Sequence, residues 1–324
     1  MRTITLEEHF ASPAFFEGPG REFAEQARQP NSPMAAIPAQ LIDLGGNRLA
    51  QMDAAGIEMQ VLSLNAPGVE QLDPDAQVAL AKESNEYVAK AMKAYPKRFS
   101  AFAALPVLKP DLAASELERL VHDENFCGAN INGHVRGRYL DDKFFWPIFE
   151  CAEAIGAPIY LHPTPPPQPV IDAWFSGFTP GVTNILARAG YGWHIETAIH
   201  VVRLILGGVF DRYPHLQIIV GHMGETLPSM LQRMDRSLNQ KLTKLERPVG
   251  AYLRENVYYT FSGFNFTSVF LNLLTEVGVD RIMFSADYPY SSMETARRFL
   301  DNLPVSTADR ERIAHGNAAR LLKL

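Results

Sequence analysis

Short apolar runs alternate with longer amphipathic segments along the chain, and this alternation constrains the fold more than any other feature. Between the runs, apolar residues recur at helical spacing, as in residues 73–94. Strands that alternate with helices in this way form parallel sheets. We therefore predict an α/β protein, a (β/α)8 TIM barrel, with strands at 3–7, 58–64, 99–105, 127–132, 158–162, 216–221, 257–261 and 281–285.

Two segments interrupt the alternation, residues 10–45 and 163–193, and both are rich in proline or glycine. Each follows a predicted strand, so each is expected at the C-terminal rim of the barrel, where active sites of this fold lie. Long loops in a compact domain are usually functional. Because no repeat or linker divides the sequence, we predict a single domain, 1–324, with two long rim loops.

The composition excludes several function classes. The 324 residues are 47% hydrophobic and 20% charged, which suits a large core. The net charge of −6 argues against nucleic acid or an acidic membrane surface as a partner. No apolar run approaches the roughly 20 residues of a membrane span. The first residues lack the basic and apolar regions of a signal peptide, so we expect a cytoplasmic protein.

Metal-ligand residue types stand at the C-terminal ends of four predicted strands: Glu7 and His9, His162, His222 and Asp287. In a barrel these ends meet at one mouth, although the residues are far apart in sequence. Glu7 and His9 are two apart on an extended segment and should point to the same side. The alternatives are that Glu7 and His9 are ordinary rim residues, that His162 is structural and that Asp287 caps a helix.

His222 and Glu225 lie in the segment Val-Gly-His-Met-Gly-Glu, where Gly221 and Gly224 permit close approach of backbone and ligand. A carboxylate three residues after an imidazole can orient it and raise its basicity. Such a pair is suited to proton transfer near neutral pH. The alternative is that Glu225 only caps the next helix.

A nearby set of polar and aromatic residues lacks the spacing of a metal motif: Trp193, His194, Glu196 and His200 do not form HExxH. The run 198–206 has the pattern of an amphipathic helix. We therefore expect these four residues to pack against the barrel.

Motifs throughout the chain resemble one protein family. LEEHF (6–10), LSLNAP (62–67), FAALP (102–106), NG (132–133), YLHP (160–163), GHMGE with LPSMLQRMD (221–235) and FSADYP (284–289) occur in order. They are similar to the amidohydrolase superfamily, in the branch of aminocarboxymuconate semialdehyde decarboxylase. Within it the gamma-resorcylate and 2,3-dihydroxybenzoate decarboxylases are most similar. The resemblance runs essentially end to end, and GHMGE and FSADYP are its most specific parts.

The resemblance implies roles for particular residues. Glu7, His9, His162 and Asp287 would bind one divalent metal, and His222, Glu225 and Asp287 would be catalytic. Arg233 would lie near the substrate pocket, although a surface position on a helix is the alternative. We also expect Asn132 to contact the substrate, and Phe23, on a rim loop, could stack on its ring, as could Phe15, Phe16 or Trp174. The chain has Glu7-x-His9 and Asn132 where many relatives have HxH and a bridging Lys, which implies a single metal ion. His9 favours Zn²⁺, then Mn²⁺ or Mg²⁺, and no organic cofactor is expected.

The function implied by the resemblance is reversible, non-oxidative decarboxylation of an ortho-hydroxylated aromatic acid, such as a dihydroxybenzoate, by a homodimer or homotetramer. The ring carbon must be protonated before CO₂ leaves; Asp287 is the expected donor and His222 the alternative. The same residues could instead support metal-dependent hydrolysis of a lactone or amide, or hydration. A non-catalytic binding barrel would require a broken ligand set, and every candidate position is filled.

Overall fold

A computed structural model describes all 324 residues, and its eight parallel strands form one sheet in sequence order. A parallel bridge between Leu6 and Ser285 joins the first and last strands, and Leu6 N donates to Phe284 O at 3.2 Å. The predicted (β/α)8 barrel is confirmed. Its strands are β1 (Ile4–Phe10), β2 (Met59–Leu64), β3 (Phe99–Ala104), β4 (Gly128–Asn132), β5 (Ile159–His162), β6 (Ile218–Val220), β7 (Val257–Thr260) and β8 (Ile282–Met283).

Helices surround the sheet, and none of them has both the length and the apolarity that crossing a bilayer requires. Short 3₁₀ turns occur at Lys143–Phe145, His222–Gly224 and Val279–Arg281, and a π turn at Arg312–Gly316. The α-helices are α1 (Pro13–Glu17), α2 (Arg21–Ala27), α3 (Ile37–Ile42), α4 (Gly46–Ala55), α5 (Pro74–Ala94), α6 (Pro110–Asp123), α7 (Trp146–Ile155), α8 (Gln168–Trp174), α9 (Pro180–Ala187), α10 (Gly192–Leu206), α11 (Val209–Arg212), α12 (Leu227–Ser237), α13 (Gln240–Thr243), α14 (Val249–Glu255), α15 (Thr267–Val277), α16 (Met293–Asp301), α17 (Thr307–Glu311) and α18 (Asn317–Leu322).

The core has two parts, because alternate residues of each strand face opposite sides of the sheet. The larger part lies between the sheet and the helices. A smaller cluster includes Leu6, Val61, Phe102 and Ile219, one from each of four strands, together with α18. Since side chains rather than a channel fill the interior of such a barrel, the polar residues of the strand ends have room only at the mouth.

The observed elements differ most from the predicted ones at two places near that mouth. β1 continues to Phe10, three residues past its predicted end, and its register against β2 shifts between Thr5 and Glu8. This irregularity places Glu7 at a φ of 58°. The segments predicted as rim loops contain short helices, α1 to α3 and α8 to α9, too short for their apolar spacing to be recognised from sequence.

Candidate active site

The Glu7 carboxylate is fully buried at the bulge in β1, and its two oxygens have different surroundings. Oε2 accepts hydrogen bonds from the hydroxyls of Tyr160 and Ser262, and from Thr260 at 3.4 Å. Oε1 has no hydrogen-bond donor and lies 3.3 Å from His162 Nε2. The hydroxyls of β5 and the β7 end therefore hold one oxygen, and the other is free to bind a cation.

His9 and His162 lie close to that free oxygen, and Asp287 lies beside His9. His9 Nε2 is 3.1 Å from Asp287 Oδ1, and the rings of His9 and His162 meet edge to face, with centroids 4.9 Å apart. Potential ligand atoms of Glu7, His9 and His162 all lie within 4.8 Å of one another. Two atoms bound to one ion at about 2.0–2.2 Å lie about 3–3.5 Å apart. The spacing of these three residues and the orphaned carboxylate oxygen fit a divalent cation, and Asp287 adjoins the group through its contact with His9.

A glycine leaves the space that this carboxylate occupies. A Cβ at Gly221 would lie 2.4 Å from Glu7 Oε2 and 2.9 Å from Ser262 Oγ. The sequence indicated that Gly221 permits a close approach of a ligand; in the structure the group that approaches is the Glu7 side chain. A larger residue there would displace the carboxylate or the hydroxyl that holds it.

The backbone is strained where the site residues stand. Glu7, His222, Glu225 and Asp287 all adopt left-handed conformations, with φ of 58°, 50°, 53° and 67°. Such conformations cost about 1–3 kcal/mol each in non-glycine residues and cluster at functional sites. The surrounding fold therefore fixes these four side chains at the expense of stability.

Glu8 fixes the segment that carries Asp287. Its Oε1 accepts from Ala286 N at 2.8 Å, and its Oε2 accepts from Tyr288 N at 3.3 Å and from Gln60 Nε2 at 3.1 Å. The backbone N–H groups of the residues before and after Asp287 are thus tied to β1. Sequence reasoning did not single out Glu8, although it is the second acid of LEEHF.

The second cluster at the mouth joins Glu225 to two imidazoles. Glu225 Oε1 lies 2.7 Å from His222 Nδ1, and Oε2 lies 2.6 Å from His194 Nδ1. Both carboxylate oxygens face histidines, so Glu225 does not serve as a helix cap. His222 Nε2 faces Glu7 Oε1 at 3.7 Å. The pair expected from the sequence is in contact and adjoins the metal-ligand residues.

His194 is buried, in line with the expected packing, but it also makes a contact with Glu225 that was not expected. It lies in the first turn of α10, which follows the 163–193 segment, and this position brings its ring within a hydrogen bond of Glu225. The other three residues of that set make no hydrogen bond to Glu225: Glu196 accepts from Tyr139, His200 Nε2 accepts from Leu140 N at 3.0 Å, and the buried Nε1 of Trp193 has no partner. The sequence signal for this contact is a histidine that comes directly after the long segment 163–193 and just before a helical pattern.

Electrostatics favour a proton on His222. Burial alone would lower its pKa, but the Glu225 and Glu7 carboxylates raise the pKa of His222 to about 10. Burial would likewise raise the pKa of Glu225, yet the imidazoles of His222 and His194 lower it. The pKa of Glu7 is also lowered, because His222 and His162 outweigh the effect of burial. The site thus combines ionised carboxylates with a protonated imidazole, although a cation on Glu7 would weaken its attraction for that proton.

The residues expected to bind substrate lie in different settings. Asn132, at the end of β4, donates its backbone N–H to Glu70 Oε1 at 2.8 Å, and its own Oδ1 is buried without a donor. Burial raises the pKa of Glu70 to about 7. Phe23 is half-buried in α2 and stacks on Phe16 with centroids 6.4 Å apart. Arg233 is exposed on α12, and its guanidinium makes no hydrogen bond or ion pair within the chain.

Two aromatic residues on the loops after β7 and β8 line the site and were not anticipated. Phe264 contacts the rings of His194 and His222 edge to face, with centroids 5.0 and 5.3 Å away. Tyr290 lies against His9 at 5.5 Å and donates to Asn65 Oδ1 at 2.7 Å. Tyr290 follows FSADYP directly and Asn65 belongs to LSLNAP, so the two motifs meet through this hydrogen bond.

Comparison with known proteins gives relatives along the whole chain. The chain is 37% identical to a gamma-resorcylate decarboxylase of Polaromonas sp. strain JS666, over 99% of this chain and 98% of that protein. The crystal structure of a dihydroxybenzoic acid decarboxylase from the same strain, with bound manganese and the inhibitor 2-nitroresorcinol, is 36% identical, with a TM-score of 0.91 and coverage of 100% and 97%. That of a 5-carboxyvanillate decarboxylase from Sphingomonas paucimobilis is 32% identical, with a TM-score of 0.91 and coverage of 100% and 99%.

The family model described as Amidohydrolase matches residues 41–324, which is most of the chain and includes seven of the eight strands. The resemblance found in the motifs is therefore confirmed. On this match and on the full-length relatives, the chain belongs to the amidohydrolase family.

Proposed function

We propose that this protein is a metal-dependent carboxy-lyase that removes the carboxylate of an ortho-hydroxylated aromatic acid, such as a dihydroxybenzoate, in a reversible, non-oxidative reaction. The observation that carries the proposal is the orphaned Oε1 of Glu7, placed between metal-ligand side chains and the imidazole of His222. Such a site could serve several reactions, and the names of the similar proteins support decarboxylation.

The chemistry requires a proton at the ring carbon before CO₂ leaves, since direct loss would form an aryl carbanion. An ortho hydroxyl, once ionised, supplies electron density to that carbon. A divalent cation held by Glu7, His9, His162 and Asp287 would supply Lewis acidity and fix the orientation of the acid and its neighbouring oxygen. Asp287, exposed to the mouth more than the other three ligands, is the proposed donor. His222, oriented by Glu225, holds a proton nearby and can balance the charge of the phenolate.

We propose one divalent ion, with Zn²⁺ as the first choice and Mn²⁺ or Mg²⁺ as the others. Two imidazoles with two carboxylates form a mixed nitrogen and oxygen set, which suits Zn²⁺ and Mn²⁺ better than Mg²⁺. The manganese in the Polaromonas structure supports a metal of this kind without choosing between the first two.

We also propose that residues 1–324 form one amidohydrolase-type domain in the cytoplasm. β1 precedes the matched residues 41–324, yet it pairs with β2 and bridges to Ser285. Cys127 and Cys151 are both free thiols, as is usual in a reducing compartment. Release of a stable fragment by limited proteolysis, or recovery of the protein outside the cytoplasmic fraction, would contradict this.

The substrate class is tested by measuring CO₂ release from ortho-hydroxybenzoates in parallel with acid release from lactones and amides. We expect CO₂ from a dihydroxybenzoate and none from benzoates without an ortho hydroxyl. Acid release without CO₂ would replace the carboxy-lyase by a hydrolase of the same fold. In the same assay, alanine at Asn132, Phe23 or Arg233 should raise KM if these residues contact the substrate.

The metal site is tested by elemental analysis of the purified protein. We expect about one divalent ion per chain, and at least a tenfold loss of bound metal in His162→Ala, because a ligand is removed. His122, exposed on α6, provides the matched control, and His122→Ala should retain the metal. Full metal content in His162→Ala would show that the four residues do not form the site.

The proton donor is tested by comparing Asp287→Asn with His222→Asn. General acid catalysis contributes about 100- to 10,000-fold, so loss of the donor should lower kcat by that factor. We expect the larger loss in Asp287→Asn, with metal content measured in both variants. If Asp287→Asn retains metal and turnover while His222→Asn is inactive, then His222 is the donor.

Exposed apolar residues on α8 and α9 support the proposal of a homodimer or homotetramer. Trp174 is 62% exposed and Ile185 63% exposed, and Phe178 and Val182 lie between them. Light scattering should give a solution mass of two or four chains, and Ile185→Ser with Trp174→Ser should lower it. Leu242→Ser, a similarly exposed residue on α13, is the control and should leave the mass unchanged. A monomeric wild type would contradict the proposal.

A further inference from the structure

The buried imidazole of His194 has hydrogen-bond partners on both ring nitrogens. Nε2 lies 3.2 Å from the carbonyl oxygen of Ala189, and Nδ1 lies 2.6 Å from Glu225 Oε2. A carbonyl oxygen can only accept, so Nε2 carries a hydrogen. Nδ1 then either donates to an ionised Glu225 or accepts from a protonated Glu225.

The second oxygen of Glu225 binds the other imidazole. Oε1 lies 2.7 Å from His222 Nδ1, so the carboxyl group bridges the two rings. In either state His194 is held at both ring nitrogens, and Glu225 is held at both oxygens.

The short distances also distinguish this cluster from a metal site. His194, His222 and Glu225 have the composition of a metal-binding group. Their separations of 2.6 and 2.7 Å are hydrogen-bond lengths, whereas atoms bound to one ion lie about 3–3.5 Å apart. The cluster is therefore built to hold protons, in contrast to the wider spacing around Glu7 Oε1.

We propose that His194 is a positioning residue of the reaction: held between Ala189 O and Glu225, it fixes the orientation of Glu225, and through Glu225 it fixes the ring of His222. His222 Nε2 is thereby directed toward Glu7 Oε1, 3.7 Å away, where the substrate would meet the metal site. Phe264 covers both imidazoles and restricts their rotation. This inference rests on the proposed function, because it assigns His194 to the same proton-handling group.

The first test reads the ring of His222 directly and needs no turnover. In protein labelled with ¹⁵N-histidine, the Nδ1–H signal of His222, assigned by its disappearance in His222→Asn, should be lost to solvent exchange in His194→Phe and retained in His194→Gln. His122→Gln, at an exposed histidine, serves as the control that leaves the signal in place. A His222 Nδ1–H signal that persists unchanged in His194→Phe would overturn the proposal.

The second test separates positioning from packing. In His194→Phe, which keeps a ring but no donor, kcat should fall about 10- to 100-fold, as for other residues that orient catalytic groups. KM and metal content should change less than about threefold, and His194→Gln, whose amide can donate to Glu225, should recover part of the loss. An unchanged kcat in His194→Phe, or no difference between Phe and Gln, would overturn the proposal. If the wild type releases no CO₂ from any hydroxybenzoate, the proposed function fails instead, while the NMR result still decides whether His194 fixes the ring of His222.

Discussion

The site depends on how one carboxylate is held. Glu7 is buried without a cationic side chain of Lys or Arg beside it; three hydroxyls bind its Oε2, and imidazoles surround its Oε1. Burial of an ionised carboxylate is costly unless it is paired. The hydroxyls of Tyr160, Thr260 and Ser262 offset part of the free energy that this burial costs. They also fix the orientation of the carboxylate that leaves Oε1 without a hydrogen bond. A bound dication would offset the rest of the free energy that burial of Glu7 costs. The Glu7 carboxylate would then link the stability of the fold to the binding of the metal.

The sequence predicted the barrel and the residues at its mouth because both follow from periodicity. Alternating strands and helices specify a parallel sheet, and the C-terminal ends of its strands must converge. His162 and Asp287 could therefore be placed together although 124 positions separate them. Local pairing was harder to foresee: the register shift before Glu8 and the left-handed backbone of Glu7 depend on contacts between strands, and no residue type in LEEHF signals them.

The residues that sequence reasoning missed lie on segments without periodicity. His194 reaches Glu225 because the segment 163–193 leads into the start of α10 at the mouth of the barrel. Phe264 and Tyr290 lie on the loops after β7 and β8. Their positions depend on tertiary packing, which short irregular segments do not encode locally. Arg233 is the opposite case. A recognisable motif predicted that it lies near the substrate, and in this chain its side chain is exposed and makes no ion pair.

Glu7 and Glu8, the two adjacent acids of β1, have different roles. Glu7 faces the metal-ligand residues, whereas Glu8 accepts the backbone N–H groups on both sides of Asp287, in the segment next to the Leu6–Ser285 bridge. The contact between the first and last strands, which closes the barrel, thus lies within the site. Loosening of the contact between the first and last strands would therefore separate Asp287 from His9, so closure of the barrel and the geometry of the site depend on the same hydrogen bonds.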